Sequence, residues 1–157
     1  EVVSVLCGSK AVARQAAKDR RVDVLCFQGF ERRSRFFDWA EAELASKSNA
    51  AFEIDFAQLL SAEGFVRLGL LSCLRREVAI AGDFGVPVVA ASGTGDVLLL
   101  RKPQDYASLA YLFYAGASFA SEALSQNPAS IVERNRLKQS PDYLAPGIRI
   151  VKRKRER

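Results

Sequence analysis

Residues 50–91 read AAFEIDFAQLLSAEGFVRLGLLSCLRREVAIAGDFGVPVVAA, and one βαβ unit is legible in them. The first run, Ala50 to Phe56, is β-rich. A long helix is expected over residues 62–84, with Phe65, Leu68, Leu71, Leu74 and Val78 on its apolar side. Gly85 and Pro87 stop that helix and introduce a second β-rich run, Val86 to Ala91. In Phe52-Glu53-Ile54-Asp55-Phe56 the apolar side chains share one face and the two carboxylates the other. Parallel strands buried on both faces are usually apolar throughout. Glu53 and Asp55 therefore imply a polar, solvated barrel interior or an end of the sheet.

The same pattern extends outward from this unit. Val2 to Cys7 leads through Gly8-Ser9-Lys10 into a helix to Arg20, and Val22 to Phe27 leads through Gln28-Gly29-Phe30 into a helix from Ser34. The second of these helices places Phe37, Ala40 and Leu44 on a buried stripe and leaves Glu41, Glu43 and Lys47 for water. Strands and helices alternating at these spacings indicate right-handed βαβ units and a parallel sheet. Downstream, Ser92-Gly93-Thr94-Gly95 turns the chain, Pro103 opens a helix to Tyr114, and Gly116 breaks it before a short helix at 119–125. Asn127 reads as a cap and Pro128 as the first residue of a helix to Lys138. Ser140-Pro141 ends that helix, and Ile148 to Val151 adds a last short strand. The 157 residues suit a single α/β domain with a basic tail at 152–157.

The overall charge of +5 is unevenly placed. Residues 133–157 hold nine Lys/Arg against three acids, a net +6, and leave −1 for the preceding 132. Such asymmetry suits an anionic partner, a nucleic acid or a membrane surface, and it equally describes a solvated tail that aids solubility. Cys7, Cys26 and Cys73 are odd in number and lack a CxxC spacing, which argues against a disulfide framework or a zinc site and favours a reducing cytoplasm. No run approaches the roughly 20 apolar residues that span a bilayer. The chain opens at Glu1 directly into an apolar strand, so an earlier start in the natural protein is expected.

The chain contains no histidine. That removes Ser-His-Asp and Cys-His nucleophiles, histidine-based zinc sites, and the imidazole acid–base pair used by many metal-independent ribonucleases. A self-sufficient nuclease would need a carboxylate–metal site, with Glu53, Asp55 and Asp23 as the candidates. Ser92 to Gly95 follows a strand yet lacks the Gly-Lys-Ser/Thr of a P-loop, so it reads first as a tight strand-to-helix turn. Lys10, after Gly8-Ser9, carries the same ambiguity.

Residues 127–151, NPASIVERNRLKQSPDYLAPGIRIV, resemble the C-terminal signature of the p30-type subunits of archaeal ribonuclease P. VDVLCF, AAFEIDFAQLL, FGVPVVAASGTGD and LRKPQDYASLAYLF agree upstream in order and spacing, covering nearly all the chain from Val22. The resemblance implies a TIM-barrel-like fold of parallel βα units. It also implies a ribonucleoprotein in which the RNA subunit, with Mg²⁺, removes 5′ leaders from precursor tRNA. The protein would bind no cofactor itself, supply no catalytic residue, and pair with the Pop-type protein subunit. Members of that family usually carry roughly two further βα units before the first strand seen here, so closure of an eight-stranded barrel is left open. They also commonly cap the helix at Pro103 with a serine, where this chain has Arg101-Lys102.

For RNA contact, Arg134 and Lys138 share a helix face at i, i+4, Arg136 points elsewhere, and Asn135 could donate to a sugar or base edge. Arg149, Lys152, Arg101, Lys102, Arg67, Arg75 and Arg76 complete the candidate set. Any one of them also reads as a solvated surface charge. Two other readings compete with the RNase P subunit: an autonomous metal-dependent phosphoesterase on a barrel scaffold, and a basic-tailed scaffold for protein partners alone.

Overall fold

The four β-rich runs become four short strands, β1 (Ser4–Leu6), β2 (Val24–Cys26), β3 (Ala51–Asp55) and β4 (Val88–Ala91). The computed structural model describes residues 1–31, 33–145 and 148–150. The strands pair in sequence order, all parallel, with Leu6 opposite Cys26, Val24 opposite Ala51, and Glu53 opposite Val89. Parallel neighbours need a crossover between them. Here α1 (Lys10–Lys18), α2 (Trp39–Ser48), and then α3 (Phe56–Ser61) with α4 (Gly64–Asp83) supply the crossovers. The result is the TIM-barrel-like βα arrangement, open among the described residues along β1 and β4.

One sheet face carries the main core. Leu25, Phe27, Phe52 and Ile54 bury against Ala13, Ala17, Phe37, Leu70 and Leu74. Phe37 stacks on Phe52 at 4.7 Å between centroids and meets Phe27 edge-on at 5.7 Å. Each such aromatic pair adds about 0.5–1.5 kcal/mol beyond its area burial. The opposite face is thinner. Val24 and Ala51 pack on Ile131, and Cys26 and Val89 flank them. Ile131 belongs to α7 (Asn127–Lys138), which is reached through α5 (Pro103–Leu109), a 3₁₀ turn at Ala110–Phe113, α6 (Ala117–Ser121) and a wide turn at Glu122–Gln126. β5 (Tyr143–Ala145) and β6 (Ile148–Arg149) form a separate antiparallel hairpin beyond α7.

Several expectations need correction. The helix expected from Ser34 starts at Trp39, because Arg35 is pulled inside and holds the preceding segment away from helical form; Asp38 then caps it, accepting from the Ala40 N–H at 2.9 Å. Glu41 does not face water but is 0% exposed, held by Arg14 Nε at 3.1 Å. Burial pushes its carboxyl up, and the neighbouring Asp38 adds to the rise. The apolar side of α4 is Leu70, Cys73, Leu74, Val78 and Ala81 around a buried Glu77, whereas Phe65 is 92% exposed and Leu68 is exposed too. A separate helix, α3, takes up residues 56–61 ahead of α4, since Asp55 accepts from the Ala57 N–H at 2.9 Å and starts a helix early. α5 stops at Leu109 and tightens into the 3₁₀ turn. Asn127 is not a cap: its backbone is helical, and its amide donates to the Val88 carbonyl at 2.8 Å. The final strand is present at Ile148–Arg149, paired with β5, and Val151 lies outside the described residues.

Candidate nucleic-acid interface

In a parallel sheet every αβ loop returns to the same edge, at the N-terminal ends of the strands. The loop after α1 therefore brings Arg20 to that edge, and the end of α2 brings Lys47, Ser48 and Asn49. The α7 residues Ser130, Glu133, Arg134, Leu137 and Lys138 meet them, and Tyr143 of β5 closes the rim. The cleft between these residues holds about 600 Å³. Four cations line it against a single acid, Glu133. Arg20 and Lys138 are exposed. Lys47 reaches Glu43 at 2.6 Å in a surface i, i+4 pair, a kind worth little against water.

A buried polar cluster anchors the cleft floor. Asp23, 1% exposed, accepts from the Val3 N–H at 2.9 Å, from Arg134 Nη2 at 2.8 Å and from Asn135 Nδ2 at 2.7 Å. Burial alone would raise the Asp23 carboxyl, but these three donors outweigh it and hold the group below the usual carboxylate range. Arg134 also donates from Nη1 to the Asn49 carbonyl at 2.8 Å, tying α7 to the turn before β3.

The structure sorts the expected RNA-facing residues unevenly. Arg134 and Lys138 do share a face and a cleft, but both terminal nitrogens of Arg134 are committed inward. Asn135 is corrected outright as a solvent-side donor: it is 7% exposed, and its amide serves Asp23 and the Glu1 carbonyl. Arg136 is exposed on another face of α7. Arg67 folds back on the Ala62 carbonyl at 2.6 Å, and Arg75 donates to the Leu112 carbonyl at 2.6 Å while lying 4.4 Å over the Tyr114 ring. Arg76 approaches Glu77 at 3.7 Å. Arg101 and Lys102 are exposed ahead of α5, where the Lys102 N–H donates to Asp105 at 3.2 Å and replaces part of the missing cap. Arg149 lies in β6, and Lys152 falls outside the described residues. Arg20, Lys47 and Tyr143 were missed because they are scattered in sequence. The rule that αβ loops share one edge would have found the first two.

At the other edge, where barrel active sites sit, the carboxylates have local duties. Glu53 accepts the Cys26 thiol, and Ser4 Oγ lies 2.8 Å from the same sulfur. Asp55 caps α3 and accepts from Gln58 at 3.0 Å. Asp23 is remote from them, at the start of β2. Among the described residues no group of three His, Cys, Asp or Glu stands together in a form that could hold a metal ion.

The family model described as RNase P subunit p30 matches residues 1–140. This chain belongs to that family. Ribonuclease P protein component 3 of Methanothermobacter thermautotrophicus is 31% identical over 151 residues, covering 96% of this chain and 61% of the relative. Its counterpart in Methanosarcina acetivorans is 32% identical over 151 residues, with 62% of its length covered. A chain in the cryo-EM structure of archaeal ribonuclease P with mature tRNA superposes with a TM-score of 0.83 at 25% identity, over 99% of this chain and 66% of that one. The chain thus spans under two thirds of the p30-family proteins it matches.

Proposed function

We propose that this p30-family chain serves as a protein subunit of ribonuclease P, supporting RNA-catalysed removal of 5′ leaders from precursor tRNA. The observation that carries the reading is the agreement of sequence and fold, over nearly the whole chain, with a component of archaeal ribonuclease P. In this role the chain acts as one domain, in the cytoplasm, binding the RNase P RNA, precursor tRNA and the Pop-type subunit. Mg²⁺ works with the RNA, and the protein contributes charge and shape. The basic cleft fits that division of labour. The lack of histidine in these 157 residues and the local duties of Glu53, which accepts the Cys26 thiol, and of Asp55, which caps α3, fit it as well.

Reconstitution tests the proposal. Adding the chain to RNase P RNA and the remaining subunits at low Mg²⁺ should stimulate precursor-tRNA cleavage, and the chain without RNA should cleave nothing. Metal-dependent cleavage by the protein alone, abolished by EDTA, would overturn it.

A further inference from the structure

We propose that the cleft between the loop after α1, the end of α2, α7 and Tyr143 holds one nucleotide of single-stranded RNA. Its phosphate would lie on Arg20 and Lys138, and its base against the Tyr143 ring. The inference rests on the RNA-binding reading above and deepens it.

Three features of the cleft point to an unpaired nucleotide. Its volume of about 600 Å³ exceeds what a bare ion would fill. Its cations differ in availability: Arg134 is spent on Asp23 and Asn49, whereas Arg20 and Lys138 are exposed. Lys47 can exchange its surface partner Glu43 for a phosphate at small cost. Tyr143, half-buried, is the aromatic residue among the lining side chains and, beside Leu137, brings a flat apolar face to a recess rimmed by cations. Cations that track a backbone beside an aromatic platform form the arrangement that binds unpaired nucleotides, because any base presents a π-face once it leaves a stack. A duplex would keep its bases stacked and offer the recess only phosphates. An acidic protein segment would satisfy the cations and leave the ring unused.

Fluorescence anisotropy with a labelled oligouridylate and a perfectly paired RNA hairpin of equal length, using the full chain, tests this. The wild type should bind the oligouridylate more tightly than the hairpin. Tyr143→Ala should weaken oligouridylate binding roughly tenfold or more while Tyr143→Phe keeps it. Arg20→Gln with Lys138→Gln should flatten the slope of log K against log salt by roughly one unit. Tyr143→Leu preserves bulk without a π-face and serves where the alanine variant fails to fold; it should bind as weakly as alanine. Equal affinity for Tyr143→Leu and wild type, or an unchanged salt slope in the double variant, would overturn the inference. Holoenzyme reconstitution separates the two levels. A wild type that stimulates precursor-tRNA cleavage, with Tyr143→Leu and the double variant binding oligouridylate like it, sinks the cleft assignment alone. A wild type that neither binds RNA nor stimulates cleavage sinks the subunit reading and the cleft together.

Discussion

Arg35 donates to the Glu77 carboxylate from Nε at 3.0 and 2.9 Å and from Nη2 at 2.7 Å, with both side chains almost fully buried. Its Nη1 also donates to the Phe27 carbonyl at 3.0 Å, so one side chain pins the segment after β2 to α4. Burial pushes the Glu77 carboxyl up, and the guanidinium works against that rise. Removing one partner of such a pair leaves an uncompensated charge, a loss of about 3–5 kcal/mol. Arg35→Met should therefore lower the unfolding free energy by that order in a urea titration, and a loss under about 1 kcal/mol would show that the carboxyl simply takes up a proton. Gly93 is another residue-scale constraint. It sits at φ +62, and a Cβ there would collide with the Asp55 carboxylate that caps α3. Gly93→Ala combines left-handed strain of about 1 kcal/mol with loss of a cap worth about as much. The thermal midpoint should fall, and the change should be largely non-additive with Asp55→Ala. The sequence marked Gly93 only as part of a turn; the close approach to Asp55 is invisible without the fold.

At the scale of elements, α7 was located to the residue at its C-terminal end, yet its role was misjudged. Arg134 and Asn135 look like surface donors in a basic segment, but they close a buried network on Asp23. The physical reason is distance along the chain: Asp23 lies 111 residues from Arg134, and no local pattern couples them. Arg134→Ala should accordingly cost about 1–3 kcal/mol by stripping hydrogen bonds from a buried carboxylate, whereas Lys138→Ala on the same face should leave the urea midpoint nearly unchanged. Equal and negligible effects would mean that the clamp contributes nothing. α4 teaches the complementary lesson. Its length and its end at Gly85 were legible, but the buried stripe lies at Leu70, Leu74, Val78 and Ala81, while Phe65 and Leu68 stay exposed on its first turns. Periodicity finds an amphipathic helix; it does not say where the sheet beneath it ends.

For the whole molecule, the Asp23 cluster couples folding to pH. Its folded-state carboxyl lies below the ordinary carboxylate range, so the native state binds fewer protons there than the unfolded chain. The stabilisation is present in full above the unfolded value, near about 4, and is lost as pH falls through the lower folded value. Unfolding free energies measured from pH 7 down to pH 3 should drop more steeply for the wild type than for Asp23→Asn over the acid end; parallel curves would refute the coupling. Much of the architecture was written in the chain itself: the four parallel strands in order, the intervening helices, and the polar face bearing Glu53 and Asp55. These rest on short-range periodicity and turn chemistry, which neighbours in sequence determine. The basic cleft, the burial of Glu41 and Asn135, and the inward turn of Arg134 were decided only in three dimensions. Whether a charged side chain faces water or a partner depends on residues brought from far along the chain, because one buried carboxylate with three donors can outweigh the solvation that its sequence neighbours suggest.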